Sequence, residues 1–513
     1  MRLLQALLAV SALVLAAHAH PVSTSFVSVP LQPVPKRGSS LLPSTVVHQQ
    51  HLNRALRRLD HFTRSTSPTT DDQLLHNLAR RAAALPPHLH ERYYLPSLDY
   101  LSRLAAQNAN QSGSNASQNF AVNGKDTEAG EATHSDGVTP AKKPTFKNTL
   151  GLDIQAQDIG YLSQVQIGTP KRDFRLLMDS GSADLWIGAE DCQPSNLDAE
   201  QENCVRPVIL TQTTSSDIQS HQGPHLLLGP NSSSTFHDTQ TSWQIEYGTG
   251  SVSGTIVTDT ISIAGLKLTN HTFGVAHHES DEFIPDYIPF DGLLGLAKRM
   301  ISRQKVPTLL DALVSTGDIK HPIISYHIPR LADGKSNNYG ELTFGALNPA
   351  KYDPKTLVSV TNVSPLGFWE ASLQDVIVNG KKLGWTNRTA IFDTGTTLLI
   401  GPPADVNALH ANIPSAVYHN DTNYWTLPCV TPKGSKPPTM ALKIGGRTFP
   451  IDSRDLLFMP IDDAHPDGDC LSGISAGMPG GPNEWLVGDV FLKNVYMSTN
   501  EETNKISFAN LKK

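Results

Sequence analysis

Two short motifs, one in each half of the chain, carry carboxylates in matching surroundings. They are Asp179-Ser180-Gly181 and Asp393-Thr394-Gly395, and each stands between two apolar runs. Because Asp-x-Gly is also common in β-turns, a single copy would indicate only a turn. Two copies with the same flanking pattern instead predict an internal repeat that supplies one carboxylate from each half.

Two carboxylates that converge in a semi-buried site can carry out acid–base chemistry. Since they cannot both ionise cheaply at close range, one keeps its proton and the other loses it. The ionised group can then act as general base on a water, and the protonated one can donate to a carbonyl. Such a pair hydrolyses an amide in acid without a covalent intermediate. We therefore predict that Asp179 and Asp393 are catalytic, with no cofactor and no metal.

The residues beside each aspartate suit this task. A glycine lets the turn bring backbone N–H groups close to the carboxylate. One hydroxyl residue can brace one loop against the other, and a second can orient the outer carboxylate oxygen. The predicted supporting residues are Ser180, Gly181, Ser182, Thr394, Gly395 and Thr396.

The chain that must position these loops has the pattern of a β protein from about residue 149 onward. Short apolar or alternating runs are separated by Gly, Pro, Asn and Asp, which predicts many short antiparallel strands. Helical patterns are few, at 306–314 and 403–412. Residues 193–230 have little apolar periodicity and are expected to form a surface insertion. The predicted fold class is all-β with minor helices.

The N-terminal region differs from this body. Residues 46–64, 71–84 and 94–106 have helical spacing, whereas 107–147 is rich in Asn, Ser, Gly and Thr and is predicted to be a flexible linker. Residues 20–147 contain 14 basic and 9 acidic side chains, whereas residues 148–513 contain 26 basic and 39 acidic side chains. We expect the basic segment to dock on the acidic body, although both can also be ordinary solvated surfaces. The acidic body argues against a nucleic acid partner.

The start of the chain predicts secretion. Residues 1–19 contain Arg2, an apolar stretch and a small-x-small cleavage site, which is typical of a signal peptide and too short for a membrane anchor. The last residues also lack the apolar tail of a lipid-anchor signal, so no membrane anchor is expected. Seven glycosylation sequons agree with a secreted glycoprotein, at Asn110, Asn115, Asn231, Asn270, Asn362, Asn387 and Asn420.

The four cysteines are expected to form two disulfides in an oxidising compartment. Three pairings are conceivable. We predict Cys192–Cys204 and Cys429–Cys470, which keeps one bridge in each half. A metal site is disfavoured because the close Cys spacings typical of such sites are absent.

Residues 149–513 resemble the pepsin-like aspartic proteases, and a secreted fungal member in particular. Besides the two aspartate motifs, the resemblance rests on four stretches, at 161–170, 247–251, 290–296 and 485–492. It implies two pseudo-symmetric, β-barrel-like lobes at 148–345 and 346–513 with a central cleft. It also implies that an apolar-apolar-Gly strand supports each aspartate loop, at 293–295 and 486–488.

The same resemblance implies roles for individual residues. Tyr247 would close over the substrate with its hydroxyl bonded to Trp186, and aromatic walls would favour bulky hydrophobic residues around the cut. Fungal relatives that accept Lys before the cut carry an acid at the position of Thr249. Tyr247 lies 68 residues after Asp179, farther than is usual, which leaves the substrate range open. The implied substrate-binding residues are Trp186, Tyr247, Gly248, Thr249, Phe290, Phe368 and Thr397.

The resemblance also implies partners and regulation. We expect a monomeric zymogen whose propeptide at 20–147 inhibits the enzyme, and which acts on protein and peptide substrates and binds pepstatin-type inhibitors. Localisation is expected to be extracellular, with the vacuole as the alternative. A protein that only binds peptides or glycans is the non-enzymatic alternative, which loss of either aspartate would favour, and neither is lost.

Overall fold

The computed structural model describes residues 44–63, 138–156, 158–194, 204, 225–247, 251–280, 283, 288–420, 422–462 and 465–512. Strands dominate these residues, so the predicted all-β class is confirmed. The signal peptide, the helices expected at 71–84 and 94–106, and most of the 193–230 insertion lie outside them. None of the helices in the described part is both long and apolar enough to cross a membrane.

Two helices and twelve strands are described before residue 345. The helices are α1 (Ser44–Thr63) and α2 (Leu309–Ser315). The strands are β1 (Val138–Thr139), β2 (Thr149–Gly151), β3 (Asp153–Gln155), β4 (Gly160–Ile167), β5 (Arg172–Asp179), β6 (Leu185–Pro194), β7 (His237–Glu246), β8 (Ser251–Ile263), β9 (Leu266–Glu279), β10 (Gly292–Gly295), β11 (Ile323–His327) and β12 (Glu341–Phe344).

Two further helices and sixteen strands are described after that point. The helices are α3 (Pro403–His410) and α4 (Asp489–Leu492). The strands are β13 (Val358–Thr361), β14 (Glu370–Leu373), β15 (Asp375–Val378), β16 (Lys381–Lys382), β17 (Arg388–Phe392), β18 (Leu399–Gly401), β19 (Val417–His419), β20 (Tyr424–Pro428), β21 (Met440–Ile444), β22 (Arg447–Ile451), β23 (Leu457–Pro460), β24 (Asp469–Ser472), β25 (Ile474–Ala476), β26 (Glu484–Val487), β27 (Val495–Asn500) and β28 (Lys505–Asn510).

The expected helices occur with shorter bounds that the local sequence explains. The pattern at 306–314 becomes α2, which begins only at Leu309 because Thr308 caps it. The Thr308 side chain accepts from the Asp311 N–H (3.1 Å), and the Asp311 carboxylate accepts from the Thr308 N–H (3.0 Å). This reciprocal capping box satisfies two backbone donors that a helix start would leave without partners.

One strand arrangement occurs in both halves. In the nine-stranded sheet β1-β3-β4-β5-β10-β6-β9-β8-β7, β10 runs parallel to β5 and antiparallel to β6. In the five-stranded sheet β14-β17-β26-β18-β25, β26 runs parallel to β17 and antiparallel to β18. Each time, a late strand inserts between the two strands that flank an aspartate loop. Two four-stranded sheets, β16-β15-β21-β22 and β19-β20-β24-β23, complete the second half.

A six-stranded sheet connects the two halves. Its order is β13-β28-β27-β11-β12-β2, so three strands precede residue 345 and three follow it. A buried ionic network adds to this connection. Lys493 Nζ lies 3.1 Å from Asp158 Oδ2 and 2.9 Å from Asp455 Oδ1, and Arg330 Nη2 lies 2.5 Å from Asp455 Oδ2. These contacts constrain how the two aspartate loops face each other.

Both predicted disulfides are confirmed. Cys192 is bonded to Cys204 and Cys429 to Cys470, so that each half contains one bridge. The helix predicted at 46–64 is also observed, as α1. By contrast, residues 138–147, within the predicted linker, include strand β1 and contact the body, because their backbone pairs with β3.

Candidate active site

Residues that directly follow the inserted strands β10 and β26 donate hydrogen bonds to the two aspartate loops. In the first half, the Leu296 N–H donates to the Asp179 carbonyl and the Ala297 N–H to the Ser182 carbonyl, both at 2.8 Å. In the second, the Asp489 N–H donates to the Thr396 carbonyl (2.9 Å) and the Val490 N–H to the Thr397 carbonyl (3.0 Å). Each loop is therefore fixed by the segment that directly follows an inserted strand and that lies far from the loop in sequence.

Glycine is required where these strands pass the loops. A Cβ at Gly295 would lie 2.4 Å from the Asp184 nitrogen, and one at Gly488 would lie 2.0 Å from the Thr396 carbonyl oxygen. Both distances are shorter than any van der Waals contact. The apolar-apolar-Gly pattern thus has a steric cause, since only glycine allows the backbones to approach this closely.

Each carboxylate is held on both oxygens by its own loop. Asp179 Oδ1 accepts from the Gly181 N–H (3.0 Å), and Asp179 Oδ2 accepts from the Ser182 hydroxyl (2.5 Å). Asp393 accepts in the same way from the Gly395 N–H (2.9 Å) and the Thr396 hydroxyl (2.5 Å). The orientation of both carboxylates is therefore set before any substrate binds.

The two loops also brace each other by a reciprocal set of hydrogen bonds. The Ser180 N–H donates to Thr394 Oγ1 (3.0 Å), and the Thr394 N–H donates to Ser180 Oγ (2.9 Å). Each hydroxyl then donates across the interface, Ser180 to the Phe392 carbonyl (3.1 Å) and Thr394 to the Met178 carbonyl (2.9 Å). This symmetric contact places the two aspartates side by side, with both side chains buried.

A third carboxyl group lies directly beneath the second loop. Asp489 is fully buried, and neither of its carboxyl oxygens has a hydrogen-bond partner among the described residues. Burial raises the pKa of Asp489 well above its ordinary value; Lys493 opposes this shift and Asp393 adds to it. Asp489 is therefore held as a neutral acid in acidic solution. The Asp489 side chain was not among the predicted site residues, although its motif was.

An aromatic cluster forms one wall beside the first loop. The Trp186 indole N–H donates to the Tyr247 hydroxyl at 2.7 Å. The Phe283 ring packs edge-on against both, with centroid distances of 5.4 Å to Trp186 and 5.6 Å to Tyr247, and Phe290 belongs to the same cluster. Phe283 was not among the predicted residues, and its signal in the sequence is merely an aromatic residue in an acidic stretch.

The other predicted substrate residues lie elsewhere. Phe368 is buried in a separate apolar cluster that includes Leu52 and Leu56 of helix α1. Thr397 Oγ1 donates to the Ile159 carbonyl (2.9 Å) and lies 3.2 Å from His51 Nδ1 of the same helix. Gly248 and Thr249 lie outside the described residues. The structure therefore groups Trp186, Tyr247 and Phe290 on one side and places Phe368 and Thr397 under helix α1.

Helix α1 packs against the second half through polar and aromatic contacts. His48 Nε2 lies 2.9 Å from Ser475 Oγ, and the ring of Phe458 packs edge-on against both His48 and His51. Leu52 and Leu56 are 7% and 6% exposed. This contact covers Phe368 and Thr397, which the family resemblance implies to be substrate-binding residues.

One group of potential metal ligands is found in the described part of the chain. It consists of Cys192, Cys204 and Glu279. Because the two sulfurs are joined in a disulfide, neither can provide the thiolate that a metal requires. This cluster therefore does not suit a metal ion.

Known proteins resemble this chain over most of its length. A sequence model described as eukaryotic aspartyl protease matches residues 160–511. The chain is 34% identical over 370 residues to the probable aspartic-type endopeptidase CTSD of Trichophyton verrucosum, covering 72% of this chain and 64% of that protein. It is 30% identical over 373 residues to the aspartic-type endopeptidase ctsD of Aspergillus fumigatus, covering 73% of this chain and 70% of that protein.

A similar relation extends to a vertebrate protein. The chain is 28% identical over 375 residues to the embryonic pepsinogen of Gallus gallus, covering 73% of this chain and 84% of that protein. By contrast, it spans slightly less than two thirds of the length of the Trichophyton relative.

Proposed function

Since the chain belongs to the eukaryotic aspartyl protease family, we propose that it is an aspartic endopeptidase that hydrolyses peptide bonds at acidic pH. The observation that carries this proposal is the symmetric pair of loops. Each offers a carboxylate with both oxygens oriented, and the loops are locked together through Ser180 and Thr394. Convergent carboxylates in a buried site share one proton.

The reaction follows from that shared proton. The ionised carboxylate of the pair takes a proton from a water, which attacks the carbonyl carbon of the substrate. The protonated partner donates to the carbonyl oxygen as the tetrahedral intermediate forms. The first carboxyl group then passes its proton to the amine nitrogen while the second takes a proton from a hydroxyl of the intermediate, so the C–N bond breaks and the pair again shares one proton. Ser182 and Thr396 hold the carboxylates in place, so little reorganisation is needed during these steps.

The substrate preference is proposed to be hydrophobic. Tyr247, Phe283 and Phe290 form an apolar wall near Asp179, which suits a bulky apolar side chain. Thr249 contributes no negative charge with which a Lys side chain could pair. Kinetics on paired peptides that differ only in Phe or Lys before the cut test this, and a preference for Lys would contradict it.

Helix α1 is proposed to act as part of an inhibitory propeptide. It packs over Phe368 and Thr397, which would exclude a substrate from that side of the cleft. We further propose that the enzyme is secreted as a glycosylated monomer, or delivered to the vacuole, and that acid releases the propeptide. If full-length protein and protein that lacks residues 1–137 were equally active at pH 7, the inhibitory role would be excluded.

Hydrolysis of casein between pH 2 and pH 7 tests the central proposal. The wild type should act best in acid and should be blocked by pepstatin, and Asp393→Asn should lose activity by several orders of magnitude. Activity that resists pepstatin and persists in Asp393→Asn would refute the assignment. Peptide binding without hydrolysis by the wild type would favour the non-enzymatic alternative.

A further inference from the structure

Residues 138–144, here called the N-terminal clasp, are bound to the body by a continuous set of backbone contacts. Val138 and Thr139 pair with Gln155 and Ile154 of β3, which makes β1 the outermost strand of the nine-stranded sheet. The Ala141 N–H then donates to Asp153 Oδ1 at 2.7 Å. The clasp is thus a part of the fold, although its composition predicted a linker.

A buried asparagine anchors the clasp from below. Asn338 is 1% exposed, and its Nδ2 donates to the carbonyls of Thr139 (3.1 Å) and Leu152 (3.0 Å). The Asn338 carbonyl in turn accepts from the Lys142 N–H at 2.9 Å. Removal of the clasp would leave a buried amide hydrogen without its partner, which is costly.

Side chains of the clasp add two further contacts. Lys142 Nζ donates to the Tyr339 hydroxyl at 2.7 Å and lies 4.2 Å from the centroid of that ring. Val138 packs against the aromatic cluster that contains Trp186 and Tyr247. The clasp therefore contacts both the sheet edge and the aromatic cluster that is proposed to line the substrate pocket.

The surface beneath the clasp is shaped to receive it. A Cβ at Gly151 would lie only 2.8 Å from the Ala141 Cβ, so the backbone of β2 approaches the clasp more closely than other residues allow. This close fit is one more contact that a cut after Lys143 would remove.

We propose that the N-terminal clasp remains on the mature enzyme, and that the cut which releases helix α1 falls between Thr63 and Val138. This proposal rests on the proposed propeptide function. It excludes the dibasic pair Lys142-Lys143 as the maturation site, even though both side chains are exposed. A cut there would detach β1 and its contacts with Asn338 and the aromatic cluster.

The new N-terminus after activation gives the first test. Full-length protein is activated in acid, and the product is examined by intact mass and N-terminal sequencing. The expected N-terminus lies between residues 64 and 138. A mature enzyme that begins at Pro144 or later would overturn the proposal, and if that enzyme still cleaved casein, the proposed protease function would stand.

Clasp variants give a second test that does not depend on sequencing. If the clasp is retained, activated Val138→Ser should melt about 2 °C lower than activated wild type and show a raised KM for peptides with Phe before the cut. If the clasp is removed, the two activated enzymes have identical sequences, and identical behaviour would overturn the proposal. Val138→Ala serves in the same way where Val138→Ser does not fold. The control Lys143→Gln should be processed and should act like the wild type.

Discussion

The buried carboxyl of Glu279 offers a direct test of how the first half responds to pH. Glu279 ends strand β9 and is 3% exposed. Burial, with a smaller contribution from the charge of Asp291, raises the pKa of Glu279 from 4.5 to about 8. Asp291 is itself engaged, since it accepts from the N–H groups of Arg175 and Leu226, both at 2.8 Å. The carboxyl groups of Glu279 and Asp291 therefore lie in a buried region that disfavours a negative charge on both at once.

The sign and the size of the effect follow from this pKa. Between pH 4.5 and about 8 the folded protein keeps a proton that the unfolded chain has lost, so the stabilisation is complete below pH 4.5 and disappears as the pH rises through about 8. A difference from 4.5 to about 8, at 1.36 kcal/mol for each pH unit, corresponds to about 5 kcal/mol. That value is an upper bound, because local relaxation lets water reach the charged carboxylate.

Glu279→Gln removes this titration while it keeps the shape of the side chain. The variant should match the parent protein at pH 4 and should be more stable at pH 8, by up to about 5 kcal/mol. Urea unfolding at pH 4, 6 and 8 measures the difference, in an Asp393→Asn background that prevents self-digestion. The exposed carboxylate variant Asp467→Asn is the control and should show no such trend. The same stability difference between Glu279→Gln and its parent at pH 4 and pH 8 would refute the reasoning.

Three further predictions concern contacts between distant parts of the chain. Asp455→Asn should lower the free energy of unfolding, measured in urea, by roughly 3–5 kcal/mol, because Arg330 and Lys493 lose a buried partner. Asp452→Asn, which affects a more exposed ion pair, should lower it by about 1 kcal/mol or less. Equal losses would argue against the buried network. Ser180→Ala should lower kcat more than it raises KM, because the hydrogen bonds between the two loops are lost. The kcat of the control Thr394→Ser should stay near the wild-type value, because the hydroxyl is kept. An unchanged kcat in Ser180→Ala would show that these hydrogen bonds are dispensable. Leu52→Asp places a charge in the apolar contact between helix α1 and the second half, and should raise peptidase activity of the full-length protein near neutral pH. The control Gln50→Glu should not raise it. Activity that did not change in Leu52→Asp would place the inhibitory contact elsewhere.

The geometry of the two aspartate loops was predictable because the residues that form each loop are contiguous in sequence. The tripeptides, the following hydroxyls and the apolar-apolar-Gly strands are each local patterns that constrain the backbone directly. The clasp was not predictable, because Lys142 contacts Asn338 across nearly two hundred residues and no local pattern links them. The same holds for Phe283, whose role depends on its packing against Trp186.

Helix α1 was also predictable only in part, because its spacing is local whereas its contacts are with distant residues. Helical spacing was sufficient to predict α1 to within two residues. Its contact with Phe458 and Ser475 depends on surfaces that form only after the second half has folded. Charge balance predicted docking in general terms, whereas the contacts given above for α1 involve apolar side chains, imidazole rings and hydroxyl groups.

The six-stranded sheet has a consequence for how the protein is made. Strand β11 pairs with β12 on one side and with β27 on the other, and β27 pairs in turn with β28. Strands that lie about 170 residues apart must therefore meet, and such distant pairings slow folding. The ribosome must synthesise the chain as far as residue 510 before this sheet can close, so a nascent chain carries both aspartates long before it can join them. Strand β26, which pairs with β17 beside Asp393, is synthesised long after that aspartate, so the supported pair of aspartate loops forms only late in synthesis.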